Sequence, residues 1–297
     1  MMMSKLGMMS FKGAIDDIIE RGVFLKGDPC PQCGNTLLAP RQYPNSWTCS
    51  ECGYSVATSK SQEERLDDIR TKNLQHEAFS YLRNTSCFGS FKVFNYNFGN
   101  YTPIDEKEAQ VRNKALQLTD KLIKGIKDDP MHIFLQGGTG RGKTHIAMAI
   151  LYQVLEETGY SKTIKKVING KVKYVKTALA VTFVNWGRLM SLKQEAIRSE
   201  EKDKEYRLII TALQTADIAI IDDLGKEADS DWYFQTFDEL MEIREDQHII
   251  VTTNLEGKDL ITRYGDRSMS RLRKHARGNF IGFSGIQDHR MLKEDNK

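Results

Sequence analysis

The sequence lacks any apolar run long enough to cross a bilayer, since a spanning helix needs about 20 consecutive apolar residues. The methionine-rich first ten residues contain neither a sustained apolar core nor a cleavage pattern, so no signal peptide is expected. A strong charge of one sign is also missing, and the net charge of +3 says nothing by itself about nucleic acid. These absences predict a cytoplasmic protein without a membrane partner. With 297 residues, it has room for one large core and a small satellite domain.

Cysteine is sparse, and its five copies are not spread as a disulfide framework would be. Four of them form two C-x-x-C pairs, Cys30 with Cys33 and Cys49 with Cys52, separated by fifteen residues. A glycine follows each pair and permits the tight turn that directs two thiolates at one ion. Four thiolates predict a closed, structural Zn²⁺ site, and a redox or disulfide role is the lesser alternative. The fifth cysteine, Cys87, is predicted to be a small buried residue.

The segments around these cysteines predict a small domain, residues 1–85, that binds a protein partner. Residues 35–48 suit a short hairpin, 11–24 form an amphipathic helical pattern, and 62–82 are a second, charged helix candidate. The segment that carries the four paired cysteines is predicted to be a zinc ribbon. This ribbon has too few basic residues for a phosphate-binding face, which favours a protein partner over nucleic acid. The alternative is that the two helices merely pack on the ribbon. An aromatic linker, residues 86–104, follows.

A glycine-rich segment fits the phosphate-binding pattern G-x-x-x-x-G-K-[ST] in full. It comprises Gly137, Gly138, Thr139, Gly140, Arg141, Gly142, Lys143 and Thr144. An apolar run at 131–135 precedes it as a strand, and 144–157 follow with helical spacing. Backbone N–H groups would surround the phosphates of ATP, Lys143 would reach the terminal phosphates, and Thr144 would bind Mg²⁺. A glycine-rich turn with a chance lysine is the alternative.

Two later strands each end in polar residues suited to the same chemistry. The apolar run 218–221 leads into Asp222, predicted to hold the second side of Mg²⁺, and Asp223, predicted to polarise the attacking water. For Asp223 alone, capping of the next helix is the alternative. The strand 248–252 leads towards Asn254, predicted to hydrogen-bond a water near the γ-phosphate, with a simple turn residue as the alternative.

Residues 105–297 alternate between strand and helix patterns, which predicts an α/β fold with a parallel sheet between helices on both faces. The predicted strands lie at 131–135, 181–186, 216–222 and 248–252, and the predicted helices at 105–124, 144–157, 187–198 and 231–244.

A basic stretch from Lys162 to Lys176 interrupts this alternation. Asn169-Gly170 at its centre is a strong hairpin signal, and six lysines load the stretch without any acidic residue. Two interpretations stand equal. In the first, the hairpin contacts the phosphate backbone of a single strand. In the second, it is an insertion that the lysines keep soluble. The second is not disfavoured, because only Tyr174 offers a ring for base stacking.

From about Phe91 onward the chain resembles the AAA+ ATPases of the DnaC/DnaI bacterial helicase-loader family, close to the IstB transposition ATPases. The resemblance rests on the segments GGTGRGKTHIAMAI, IAIIDDLGKE and VTTN and on the tail 266–290. It implies ATP-bound subunits that assemble side by side, grip single-stranded DNA and hold a DnaB-type hexameric replicative helicase for loading. It also implies an N-terminal domain that contacts the helicase.

The same resemblance implies roles for arginines in the tail. Arg271 matches the arginine finger of the family, the residue that reaches the γ-phosphate held by a neighbouring subunit. Arg267 and Arg273 are the other candidates for this role. An arginine-rich surface helix is the alternative. Arg290 falls where the family places an arginine that senses nucleotide in cis, although Asp-His precedes it instead of the usual Ser-Tyr.

Three other functions compete with helicase loading. An IstB-like transposition helper shares the ATPase core, but that group usually lacks a zinc ribbon. A nucleotide-gated adaptor would bind ATP with little hydrolysis, which the full set of predicted catalytic residues disfavours. A zinc-ribbon DNA-binding regulator would need a reading helix, and the sequence offers none.

Overall fold

The computed structural model describes residues 22–44, 46–56, 62–126 and 129–289. The chain divides into two compact units, Met1–Ile69 and Arg70–Lys297. Within the described ranges, no helix has the length and apolar character needed to span a membrane.

The first unit contains an antiparallel sheet of three strands in the order β1-β2-β3. The strands are β1 (Phe24–Pro29), β2 (Thr36–Pro40) and β3 (Thr48–Cys49). The hairpin expected between the cysteine pairs is confirmed, because β2 pairs with β3 through Leu37 and Cys49. The end of the helix predicted over 11–24 is wrong: Phe24 begins β1 and pairs with Pro40. The rest of that predicted helix, 11–21, lies outside the described residues.

The apolar interior of this sheet is small. Its buried cluster contains Cys30, Leu37 and Cys49, with Trp47 and Tyr54 partly buried against it. Trp47 lies so close to Gly27 that an added Cβ there would be 2.5 Å from its ring. Burial worth about 25 cal/mol per Å² cannot stabilise so small a core alone.

The second unit is an α/β domain whose elements alternate as predicted. Its helices are α1 (Gln62–Asn84, which begins before the boundary between the units), α2 (Glu106–Gly125), α3 (Lys143–Glu157), α4 (Trp186–Ala196), α5 (Glu200–Thr215), α6 (Asp231–Arg244) and α7 (Gly257–Arg273). Its strands are β4 (His132–Gln136), β5 (Ser161–Ile168), β6 (Lys171–Ala178), β7 (Val181–Asn185), β8 (Ile218–Leu224), β9 (His248–Thr253) and β10 (Phe280–Gly282). A short 3₁₀ helix occupies Phe91–Asn95, inside the predicted linker.

Five of these strands form one parallel sheet in the order β10-β4-β9-β8-β7. The predicted sheet with helices on both faces is confirmed. β4, which precedes the glycine-rich loop, has β9 as one neighbour, and β9 in turn pairs with β8. The carboxyl ends of these three strands therefore lie side by side, at the edge where parallel α/β sheets bind ligands.

Two apolar clusters fill the faces of the sheet. One includes Leu122 of α2 and Ile150 of α3, and the other includes Trp186 of α4, Leu213 of α5 and Phe237 of α6. All five side chains are at most 1% exposed. Cys87 belongs to the second cluster at 7% exposure, and burial raises the pKa of its thiol to about 11. The prediction of a small buried residue is confirmed.

Several helix boundaries agree with the sequence, and others do not. α6 has the predicted bounds, and α2 begins after Asp105, whose carboxylate accepts from the backbone N–H of Glu108. Trp186, assigned above to a strand, starts α4 because Asn185 caps that helix. α5 was not predicted from the sequence, although Ser199 and the acidic first turn that follows it are an N-terminal signal.

The predicted lysine hairpin is present as β5 and β6, which pair antiparallel from Ser161↔Ala178 to Ile168↔Lys171. Asn169 and Gly170 have φ of 52° and 72°, the left-handed pair that a two-residue type I′ turn needs. Residues 161–178, called the lysine hairpin below, form a separate two-stranded sheet.

Candidate functional site

The glycine-rich loop connects β4 to α3 in a conformation that depends on glycine. Gly137 and Gly142 have φ of 150° and 88°. An added Cβ would lie 2.8 Å from the Cβ of Phe283 at the first position and 3.2 Å from the Tyr101 ring at the second. Any other residue would therefore strain the backbone and displace a neighbour. The loop presents the N-terminus of α3 as an anion-binding end.

Lys143, the first residue of α3, lies within this loop. Its Nζ donates to the carbonyl oxygens of Gly137 and Gly138, both at 2.7 Å, and to Asn254 Oδ1 at 2.6 Å. The side chain is 5% exposed, and this burial lowers the lysine pKa to about 8. A buried ammonium held mainly by neutral acceptors is well suited to an anionic ligand.

Thr144 and Asp222 meet as the sequence predicts. The Thr144 hydroxyl donates to Asp222 Oδ1 at 2.8 Å, and the Thr252 hydroxyl donates to the same oxygen at 2.8 Å. Asp222 is 4% exposed, and burial, followed by the nearby Asp223, raises its carboxyl pKa. A hydroxyl beside a carboxylate is a fitting ligand set for Mg²⁺, whose charge would offset the buried negative charge.

Asp223 is oriented differently from Asp222 although it is the next residue. Its φ of 56° is left-handed, and its backbone N–H donates to Thr252 Oγ1 at 2.9 Å. The carboxylate lies 2.7 Å from Lys226 Nζ and accepts a 3.4 Å bond from Asn185 Nδ2. This sharp turn at the end of β8 directs one carboxylate to Thr144 and leaves the other lining the cleft over the loop.

Asn254 follows β9 and contacts the glycine-rich loop directly. Besides accepting from Lys143, its amide donates to Thr139 Oγ1 at 3.2 Å. The eight loop residues, Asp222, Asp223 and Asn254 thus come together at the carboxyl edge of the sheet, and their catalytic and nucleotide-binding roles remain predictions.

A cleft of about 510 Å³ opens over the loop and has an aromatic wall. The rings of Tyr96 and His145 stack with centroids 4.6 Å apart, and Tyr101 meets His145 edge-on at 5.1 Å. The buried Tyr101 hydroxyl has no hydrogen-bond partner within the described part of the chain. Flat rings and an unpaired hydroxyl beside a phosphate site suit the planar base of a nucleotide.

The last described residues cross the loop. His289 donates its backbone N–H to Gly140 O at 3.1 Å, and its Nε2 lies 2.7 Å from Oε1 of the buried Glu108. The Asp288 carboxylate lies where a side chain on Gly140 would have to be. Arg290, the predicted cis sensor, lies outside the described residues.

The predicted finger, Arg271, is at the far end of α7 and does not line the cleft. Its guanidinium contacts three carboxylates of its own chain, on Asp238 at 3.1 Å, Glu242 at 3.4 Å and Glu245 at 3.4 Å. Only 16% of the Arg271 side chain is exposed, against 70% for its rival Arg267. A role in a neighbouring subunit remains a prediction for either residue.

The four paired cysteines gather into one cluster in the first unit. All four sulfur atoms lie within 4.8 Å of one another. The two C-x-x-C turns are closed by equivalent hydrogen bonds: the N–H of Gly34 donates to Cys30 O, and the N–H of Gly53 donates to Cys49 O. Backbone N–H groups of Cys52 and Glu51 lower the pKa of Cys49 to about 7. Four sulfur atoms that converge in this way fit tetrahedral Zn²⁺.

Sequence reasoning missed several residues of the cleft. Asn185 and Thr252 bind the aspartates from β7 and β9, and Tyr101 and His145 form the aromatic wall. A signal existed for Asn185, since a polar residue ends an apolar strand. Tyr101 comes from the predicted linker, where neither periodicity nor a motif marks it.

Comparisons with known proteins agree with this geometry. The sequence profile of the bacterial DnaA ATPase domain family matches residues 95–276. The chromosomal replication initiator protein DnaA of Lachnoclostridium phytofermentans is 25% identical over 219 residues, covering 71% of this chain and 40% of that protein. DnaA of Enterococcus faecalis is 30% identical over 169 residues, covering 54% of this chain and 32% of that protein. The chain thus spans less than half the length of these curated relatives.

Solved structures of similar fold include the DnaC helicase loader, with 19% identity and a TM-score of 0.47 over 67% of this chain and 100% of that one. DnaI has 18% identity and a TM-score of 0.49 over 66% of this chain and 95% of that one.

Proposed function

The chain belongs to the bacterial DnaA ATPase domain family of AAA+ proteins, and from this premise we propose that it is an ATP-dependent loader of a DnaB-type hexameric helicase onto single-stranded DNA during DNA replication. The observation that carries the proposal is the meeting of Lys143, Thr144, Asp222, Asp223 and Asn254 at one edge of the sheet. A binding-only protein would not need the second carboxylate and the asparagine.

Each residue has a distinct part in ATP hydrolysis. Lys143 and the loop N–H groups bind the phosphates, and Asp223 accepts a proton from the attacking water, which Asn254 orients. Thr144 and Asp222 would hold Mg²⁺, which would neutralise charge on the phosphates. Tyr101 and His145 position the base, and the Tyr101 hydroxyl gains a partner.

A single subunit is incomplete in this proposal. Arg141 is the one arginine that lines the cleft among the described residues, and its Nη1 donates to Phe283 O at 2.9 Å. In this proposal the guanidinium needed at the transferred phosphate comes from a second copy, through Arg271 or a neighbouring arginine of α7. Side-by-side assembly on DNA is the expected active form.

The first 85 residues serve as the docking part for the helicase. A zinc-stabilised sheet with a small core is a rigid surface that does not depend on nucleotide. This division assigns partner choice to residues 1–85 and ATP chemistry to residues 105–297, with Tyr96 and Tyr101 of the segment between them contributing to the wall of the cleft.

The test is loading of a purified hexameric helicase onto circular single-stranded DNA, with ATP turnover followed in parallel. Asp223→Asn should reduce stimulated turnover by about 10²- to 10⁴-fold, the usual worth of a general base. Asp120→Asn is the matched control, because its carboxylate is exposed on α2 and does not line the cleft.

Three outcomes would contradict the proposal. Turnover that is equal with and without helicase and DNA would favour an unrelated ATPase. Capture of a transposase in place of the helicase would favour a transposition helper. Helicase loading by Asp223→Asn at the normal rate would favour a nucleotide-gated adaptor.

A further inference from the structure

The lysine hairpin concentrates positive charge that the other described residues largely leave without an ion pair. Lys162 at its base is ion-paired with Asp217. None of the other five lysines has an ion pair with a carboxylate in the described part of the chain, and all five are exposed: Lys165, Lys166, Lys171, Lys173 and Lys176. Their ammonium groups are therefore open to solvent.

The pairing of the strands makes this concentration costly. Lys166 and Lys173 stand directly opposite each other, so their Cβ atoms are about 5 Å apart on one face. Like charges in facing positions destabilise an antiparallel pair. A polyanion lying along the hairpin would convert this repulsion into attraction, whereas a role in solubility alone gives no reason to place the two charges opposite each other.

The other face of the hairpin combines lysines with an aromatic ring. Lys165 and Tyr174 are direct partners, and Lys176 follows Tyr174 by two residues on the same face. The Tyr174 ring is 75% exposed. Among the described residues it has no ring partner and no cation stacked on it. The Tyr174 ring therefore has an unoccupied face and is flanked by Lys165 and Lys176.

This combination distinguishes between classes of nucleic acid. A single strand exposes both its phosphates and its base faces, so lysines and a stacking ring can bind it together. A duplex keeps its base faces stacked inside and would leave Tyr174 unused. Ammonium groups on flexible stems suit a moving phosphate backbone better than they suit one fixed carboxylate.

We propose that the face of the lysine hairpin that carries Tyr174 binds single-stranded DNA, with Tyr174 stacking on a base and Lys165 and Lys176 contacting phosphates. Lys166 and Lys173 on the opposite face add to the positive field that attracts the strand. The inference rests on the proposed function, because a loader must hold the strand that its helicase encircles. It adds the element that does so, a hairpin inserted between α3 and β7.

The test is fluorescence anisotropy of a labelled oligothymidine with the full-length zinc-loaded protein and a non-hydrolysable ATP analogue, over a range of salt. Lys165→Gln/Lys176→Gln should lower the slope of log K against log salt by about 1.4, since each phosphate contact on a single strand contributes about 0.7. Tyr174→Ser should weaken binding by about 5-fold or more while leaving that slope unchanged.

The matched control is Lys92→Gln/Lys258→Gln, which removes the same charge from two exposed lysines outside the hairpin. It should leave the slope unchanged, and no variant should lower Tm, because the hairpin side chains are solvated.

An unchanged slope in the hairpin double variant, with wild-type protein that binds DNA, would overturn this inference alone. The inference would also be overturned if the double variant still bound DNA but no longer bound the helicase, because the lysines would then contact an acidic protein surface. Wild-type protein that fails to bind oligothymidine would overturn the proposed function as well.

Discussion

The two units of this chain build their ligand sites in opposite ways. The cysteine cluster is local, since all four sulfurs come from residues 30–52, and it would be closed around Zn²⁺, because four thiolates would complete a tetrahedron. The cleft of the ATPase unit gathers residues from 95 to 289 and remains open to solvent. The comparison predicts that the small unit needs a metal in order to fold, because its core is small, whereas the large unit has enough buried apolar surface to fold before it binds a ligand.

The largest test of this comparison is removal of the metal. Cys49→Ser, or a strong chelator, should unfold the first unit, because structural Zn²⁺ contributes on the order of 10 kcal/mol in comparable peptides. The ATPase unit should stay folded, since its two apolar clusters contain none of the cysteine ligands. Zinc content and limited proteolysis measure the unfolding of the first unit, and nucleotide affinity measures whether the ATPase unit stays folded.

Cys87→Ala is the control, because Cys87 packs in the ATPase core and is not a ligand. It should keep its zinc. Loss of nucleotide binding after chelation would mean that the second unit depends on the first.

The test with the next largest expected effect asks whether an arginine of a second subunit completes the open cleft. Arg271→Ala should reduce stimulated hydrolysis by about 10³-fold or more, the usual worth of an arginine finger, while nucleotide affinity stays near normal. Mixing Arg271→Ala with Lys143→Ala subunits should restore part of the activity, because one interface then has both an intact loop and an intact arginine. Steady-state turnover of the mixture measures this.

The contacts of Arg271 provide the competing outcome. Its bonds to Asp238, Glu242 and Glu245 connect α7 to α6. A fall in Tm for Arg271→Ala without restoration in mixtures would assign it to packing, and Arg267→Ala would then be the finger variant to mix. Arg267→Ala should leave Tm unchanged, because that side chain is 70% exposed.

The smallest test concerns the charge of Lys143. Burial lowers its pKa from 10.5 to about 8, so the cationic form that binds phosphate is present below pH 8 and is lost as pH rises through that value. Nucleotide affinity should fall by roughly 15-fold between pH 8 and 9.5, because about half of the ammonium is protonated at its pKa and only about 3% is protonated 1.5 units above it.

Lys143→Arg is the control for this titration, because a guanidinium stays protonated throughout. Its affinity should be lower at neutral pH but flat across the range. The zinc content of the first unit should not change over the same range, since its thiolates gain no protons as pH rises.

Particular residues show how far sequence reasoning reached. The glycine-rich loop, the aspartate pair and the cysteine pairs were all found, because each is a short segment whose chemistry fixes its spacing. Asn254 was placed correctly, because carboxyl ends of neighbouring parallel strands must meet. Phe24 was assigned to a helix, since its pairing with Pro40 depends on a partner strand sixteen positions along the chain.

The sequence by itself determined the alternation that produces a parallel sheet and the hairpin turn at Asn169-Gly170, and it predicted the two ligand chemistries. These depend on local conformation, and local conformation depends on the residue types nearby. Only the tertiary structure decided that Tyr101 and His145 wall the cleft, that Asn185 and Thr252 bind the aspartates, and that three carboxylates surround Arg271. Such contacts join residues far apart in the chain, and the order in which strands pack brings them together.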